Sequence, residues 1–111
     1  MEIKEGIPVA KLADLPEGEL LSVEFDGVQV LLANSGGTVY AVRDKCTHEE
    51  IPLSEGELED DGSVSCPWHF SRFCLRTGAA LDSPASEPVE TFAVQVDDGI
   101  VLLSRNGGTD R

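Results

Sequence analysis

The residues best suited to bind a metal lie in two short segments, Cys46-Thr47-His48 and Cys66-Pro67-Trp68-His69. The chain contains only two histidines and three cysteines, and each segment pairs one histidine with one cysteine. Thiolate and imidazole together are ligands for zinc, copper or iron-sulfur centres. The pattern therefore predicts a metal centre. Its four predicted ligands are Cys46, His48, Cys66 and His69.

The spacing of these ligands favours one kind of centre over the others. Structural zinc sites usually take two cysteines from one loop and two histidines from a helix, each pair at short intervals. Here each segment supplies one of each, and 17 residues separate His48 from Cys66. That arrangement favours a two-iron, two-sulfide cluster in which one iron binds both thiolates and the other binds both imidazoles. A structural zinc module remains an alternative, as do ordinary buried cysteines and histidines.

The two segments resemble the ligand motif of Rieske iron-sulfur proteins. The likeness is greater to the small Rieske-type ferredoxins that serve bacterial aromatic-ring dioxygenases. It extends to Leu53-Ser54-Glu55-Gly56, to residues 69–78 and to the loop around Pro84, so that it covers most of residues 7–103. The resemblance is therefore to a whole domain.

The resemblance implies a role for each predicted ligand. Cys46 and Cys66 would bind the inner iron of one Rieske-type 2Fe-2S cluster, and His48 and His69 would bind the outer, exposed iron. The loop Ser83-Pro84-Ala85 would cover the cluster from a third side.

Departures from the wider family imply a low reduction potential. High-potential members carry a disulfide between the two ligand loops, but the matching positions here are Ile51 and Trp68. Those members also place a serine and a tyrosine where they hydrogen-bond to sulfur. Ser71 matches the serine, whereas Phe73 replaces the tyrosine. Because hydrogen bonds to sulfur stabilise the reduced cluster, the resemblance implies a potential near the low end of the Rieske range, about −150 mV.

The implied function is that of a one-electron carrier, not an enzyme. Its partners would be a flavoprotein ferredoxin reductase that oxidises NAD(P)H and a terminal ring-hydroxylating oxygenase. The chain has no Gly-x-Gly-x-x-Gly segment for a flavin or nicotinamide of its own. A second iron site would need histidines beyond the two already assigned. The nearest alternative is a small Rieske subunit of a nitrite-reductase-like complex.

Composition narrows the class of partner. A chain of 111 residues predicts a single domain, and we expect a monomer. The formal net charge of −13 argues against nucleic acid and anionic membranes, and it favours a partner with a basic patch. Seven acids and no base lie between the two histidine-cysteine segments: Glu49, Glu50, Glu55, Glu57, Glu59, Asp60 and Asp61.

The location of the protein follows from what the sequence lacks. No apolar run approaches the roughly 18 residues of a membrane span. The N-terminus lacks the basic start and apolar stretch of a signal peptide. We therefore expect a cytoplasmic protein.

Short alternating apolar segments predict strands joined by tight turns. Residues 22–25 and 28–31 flank Asp26-Gly27, a pair that is typical of a two-residue hairpin turn. A further strand at 39–42 follows Gly36-Gly37.

A second hairpin is predicted near the end of the chain, with strands at 91–96 and 100–103. The proline-rich segment 81–88 is predicted to be a loop. Together with the resemblance, these features predict an all-β fold: a Rieske-type antiparallel β-sandwich with a small cluster-binding subdomain inserted. The expected core spans about 3–103, with cluster-binding loops at about 44–81 and a short flexible tail at 104–111.

Overall fold

A computed structural model describes residues 6–45, 51–67, 71–81 and 88–105. In these ranges the chain forms nine β strands and two short 3-10 helices, and it contains no α-helix. The strands are β1 (Ile7–Lys11), β2 (Leu20–Phe25), β3 (Val28–Ser35), β4 (Thr38–Arg43), β5 (Glu57–Leu58), β6 (Ser63–Ser65), β7 (Arg72–Cys74), β8 (Thr91–Asp97) and β9 (Ile100–Arg105). The 3-10 helices are η1 (Leu12–Asp14) and η2 (Leu53–Glu55).

Six strands form the main sheet, in the order β1-β9-β8-β4-β3-β2, and all neighbours are antiparallel. Asp26-Gly27 joins β2 to β3 with φ values of 56° and 83°, which is the left-handed geometry of a tight hairpin turn. Asp98-Gly99 does the same between β8 and β9, with φ values of 55° and 78°. Both predicted hairpins are confirmed, and Asp97 belongs to the strand rather than to the turn.

The three remaining strands form a small sheet in the order β5-β6-β7. The segment that contains it leaves the main sheet after β4 and returns at β8. The N–H of Arg43 donates to the carbonyl oxygen of Glu90 at 2.8 Å, so the segment leaves and returns at neighbouring points. The predicted all-β fold with an inserted subdomain is confirmed.

Strand β3 is buried on both faces, and this joins the two sheets. Leu31 and Ala33 face the small sheet, where they belong to an apolar cluster that we call the inter-sheet core. Val30 and Leu32 face the other way, into a second cluster. The residues of the inter-sheet core are Leu31, Ala33, Val42, Leu53, Val64, Cys66, Phe73, Leu75 and Val89.

Several strands were not predicted from the sequence. β1 contains Pro8 at an edge of the sheet, and β5, β6 and β7 have only two or three residues each, which is too short for an alternating pattern to emerge. β9 extends to Arg105, so the chain leaves the sheet later than the predicted start of the tail at 104. No helix in the described ranges is long and apolar enough to cross a membrane.

Gly56 ends η2 beside the small sheet, and its backbone φ of −89° suits any residue. A Cβ atom at this position would collide with the carbonyl oxygen of Ser65 on β6. Gly62, by contrast, has a φ of +83° and open space around it. A Gly62→Ala variant therefore bears only the backbone cost of left-handed geometry, about 1–2 kcal/mol.

We expect Gly56→Ala to lower the free energy of unfolding by about 1–3 kcal/mol more than Gly62→Ala does, because strand β6 must move. Urea denaturation of both variants and the parent protein measures this difference. Equal losses in the two variants would show that the Gly56 contact is readily relieved.

Candidate metal centre

Cys66 follows strand β6 directly and is fully buried in the inter-sheet core. Its backbone N–H donates to the carbonyl oxygen of Ser71 at 2.8 Å. This hydrogen bond joins Cys66 to Ser71 across the second ligand segment. A cysteine held in this way presents its thiol from a rigid base, as a structural or redox metal ligand requires.

The surroundings of Cys66 are apolar and closed to water. Leu53 and Phe73 are fully buried in the same cluster, and Ser71 has no exposed surface. Phe73 lies opposite Val64 in the small sheet. Its ring therefore fills core volume at a position where no hydroxyl is available to hydrogen-bond to sulfur.

Hydrogen bonds also join the residues on either side of the first ligand segment. Asp44, at the end of β4, is buried, with 7% of its surface exposed. Its carboxylate accepts hydrogen bonds from the backbone N–H and the Oγ of Ser54, each at 2.7 Å. Since Leu53 and Cys66 share one apolar cluster, the bases of the two segments lie together.

Among the predicted ligands, Cys66 is the one that lies within the described residues. The other three are outside them, as are Trp68 and the predicted covering loop at 83–85. The described part fits an iron-sulfur centre: it contains a buried thiol, and hydrogen bonds join the residues that flank each ligand segment. Two thiolates and two imidazoles complete a donor set suited to iron.

Cys74, at the end of β7, is partly exposed. A hydrogen bond from the Thr77 side chain is the main cause that holds the pKa of the Cys74 thiol below its usual value. The nearby Arg76 charge acts in the same direction. Sequence alone did not indicate this thiol, because its partners lie in a turn that has no periodic pattern.

The acidic segment runs along the small sheet, from the end next to Cys66 to the turn between β5 and β6. Glu57 is paired with Ser65, the residue before Cys66, and Glu55 lies at the end of η2; both are exposed. Glu59 and Asp60 instead line a groove beside Gly36, at the far end of β3 and β4. All seven acids lie between the predicted ligand segments in sequence, but Glu59 and Asp60 lie beside the turn between β3 and β4 in the structure.

Comparisons with known proteins agree with this geometry. Residues 5–93 match the family model of the Rieske [2Fe-2S] domain. The 3-phenylpropionate/cinnamic acid dioxygenase ferredoxin subunit of Escherichia coli (strain K12) is 46% identical over 92 residues, which cover 83% of this chain and 86% of that protein.

Two solved structures extend the comparison to three dimensions. The ferredoxin of carbazole 1,9a-dioxygenase from Nocardioides aromaticivorans IC177 matches with a TM-score of 0.87 and 32% identity, over 93% of this chain and all of that one. A complex of reduced oxygenase and oxidized ferredoxin in carbazole 1,9a-dioxygenase matches with a TM-score of 0.82 and 31% identity, over 88% and 91% of the two chains.

We expect Thr77→Val to raise the pKa of Cys74 towards that of an ordinary thiol, because the variant removes the hydroxyl that stabilises the thiolate. The measurement is the rate of alkylation of Cys74 by iodoacetamide as a function of pH, in protein with its ligand cysteines bound to the cluster. The midpoint of this profile should move to higher pH.

Thr38→Val, at an exposed threonine in β4, is the matched control and should leave the midpoint where it is. Cys74→Ser identifies the labelled thiol. Coincident profiles for the parent and Thr77→Val would refute the role of the hydroxyl.

Proposed function

The chain belongs to the Rieske [2Fe-2S] domain family, and from that premise we propose that it carries single electrons from a flavoprotein reductase to a terminal ring-hydroxylating oxygenase. Its cofactor is a Rieske-type 2Fe-2S cluster, so the zinc alternative is set aside. The observation that carries the proposal is the 46% identity, over most of both chains, to a dioxygenase ferredoxin subunit. The homologues are electron-transfer components and not catalysts.

The proposal assigns the four ligands as the sequence predicts them. Cys46 and Cys66 hold the inner iron, and His48 and His69 hold the outer iron. When bound, the cluster supplies reversible one-electron chemistry. Imidazole is neutral and thiolate is not, so this ligand set leaves the centre less negative than four cysteines would. Electron uptake is correspondingly easier.

The described residues contribute an apolar, water-excluding wall around one thiolate. Cys66, Leu53 and Phe73 are all without exposed surface. The predicted ligand Cys66 therefore has apolar surroundings that exclude water.

The partners in the proposal are a terminal oxygenase and a flavoprotein reductase that oxidises NAD(P)H, and the compartment is the cytoplasm, where NAD(P)H is present. The oxygenase is supported by the ferredoxin in the carbazole dioxygenase complex, which matches this chain over 88% of its length. The net charge of −13 supports docking to basic surfaces. A nitrite-reductase-like complex is the alternative, and a reconstitution assay distinguishes the two.

We expect the purified protein to contain two irons and two acid-labile sulfides per chain. Restoration of ring hydroxylation, when it is added to an oxygenase and an NADH-dependent reductase from the same organism, would support the carrier role. Cys66→Ser should lose the cluster and the activity, because serine does not replace the buried thiolate. Cys74→Ser should retain both, since Cys74 lies outside the predicted ligand set.

A protein that binds iron but restores no hydroxylation, and instead copurifies with a nitrite reductase, would overturn the carrier role in favour of the subunit. A colourless protein containing zinc would overturn the cofactor as well.

We expect charge steering to depend on the acids near the cluster. Glu55→Gln with Glu57→Gln removes two charges from the end of the small sheet next to Cys66, while Glu59→Gln with Asp60→Asn removes two beside the turn between β3 and β4. At low ionic strength the first pair should lower the second-order rate of electron transfer to the oxygenase and flatten its salt dependence. The second pair should change both quantities less.

Stopped-flow measurements from about 0.01 to 1 M salt provide this comparison, because the Debye length falls from about 30 Å to about 3 Å across that range. Rates of the parent protein that are independent of salt would remove this role for the acids.

A further inference from the structure

Asp44 is a buried carboxylate at the junction of the two sheets, two residues before the predicted ligand Cys46. We propose that Asp44 is the positioning residue of the first ligand loop: it ties the start of the loop to its end at Ser54 and places a fixed negative charge beside the cluster. This inference rests on the proposed function, because it takes Cys46 and His48 as cluster ligands.

Three hydrogen bonds hold the Asp44 carboxylate. Oδ1 accepts from the backbone N–H of Ser54, and Oδ2 accepts from the hydroxyls of Ser54 and Ser22, all at 2.7 Å. All three donors are neutral, and both carboxylate oxygens act as acceptors.

The same residue is attached to the main sheet through its backbone. The N–H of Asp44 donates to the carbonyl oxygen of Gln29 on β3 at 3.0 Å. The Gln29 side chain in turn donates to Ser22 Oγ at 2.9 Å. Asp44 therefore connects three places: the strands β2 and β3, the end of β4, and η2 after the loop.

This connection bears on the ligands because of its position in the chain. The first ligand segment lies between β4 and η2 in sequence, and Asp44 and Ser54 flank it. Two residues of extended chain span at most about 7 Å, so the Asp44 backbone is close to that of Cys46. The bonds between Asp44 and Ser54 restrict the conformations of the chain between them, and so restrict the positions open to the Cys46 thiolate. Without these bonds the same chain would have more conformational freedom.

The charge has a separate consequence. Reduction adds an electron to the centre, and a nearby buried carboxylate opposes that addition. Asp44 therefore adds to the effect of Phe73, which lacks a hydroxyl for the sulfur atoms: both keep the reduction potential low. The Asp44 side chain thus has two roles: its hydrogen bonds to Ser54, which we call the clamp, and its negative charge. Different variants test each role.

Asp44→Asn removes the charge while it keeps the shape and an oxygen for the Ser54 N–H. We expect the reduction equilibrium constant of the cluster to increase about tenfold, which for a one-electron couple is about 59 mV more positive. Asp60→Asn, at an exposed acid beside the turn between β3 and β4, is the control with the same formal change and should shift the potential much less. Spectroelectrochemical titration of the holoprotein measures both.

Ser54→Ala removes one hydroxyl from the clamp and leaves the Asp44 charge in place. We expect it to speed cluster loss to an iron chelator severalfold, with little change in potential. Ser63→Ala, at a buried serine of β6 that bonds to Asp61, is the matched control for a lost serine hydroxyl in the subdomain. The decay of visible absorption gives the rate, and circular dichroism confirms that each variant folds.

A potential of Asp44→Asn that equals that of Asp60→Asn would overturn the role of the charge. Cluster-loss rates of Ser54→Ala and Ser63→Ala that coincide would overturn the clamp. A parent protein that binds no iron-sulfur cluster would refute the proposed function itself, which is a distinguishable failure.

Discussion

The inter-sheet core is the contact on which the metal centre depends. Leu31 and Val42 come from the main sheet, Leu53 from the turn after the first ligand segment, and Cys66 and Phe73 from the small sheet. Truncation of a buried phenylalanine typically costs about 3–5 kcal/mol, so this packing is a substantial part of what holds the subdomain in place. Because the predicted ligand Cys66 belongs to this apolar core, a shift between the sheets would also shift its thiol.

Hydrogen bonds add direction to the placement of the two ligand segments. Packing brings the bases of both ligand segments together, but it is not directional. The Cys66 to Ser71 bond closes one segment through backbone atoms, and Asp44 closes the other through a side chain. The two closures differ in kind, since a backbone bond tolerates many sequences whereas a carboxylate with three neutral donors requires Asp44, Ser54 and Ser22 together.

The sequence predicted the features that have a local signal. The hairpin turn at Asp26-Gly27 needs left-handed backbone angles, and aspartate followed by glycine is a pair that adopts them readily. The spacing of cysteines and histidines likewise indicated the kind of cluster. The role of Asp44 had no such signal, because its partners Ser22 and Ser54 are distant along the chain.

The hydrogen bond between Arg43 and Glu90 brings together the two ends of the inserted segment, residues 44–89. Its two ends leave adjacent strands at adjacent residues, so residues 44–89 can lengthen, shorten or be exchanged without altering the register of the main sheet. The closure entropy of such an insertion grows only with the logarithm of its length. A sheet of this design can accept ligand loops of different size, which separates the evolution of redox chemistry from that of the scaffold.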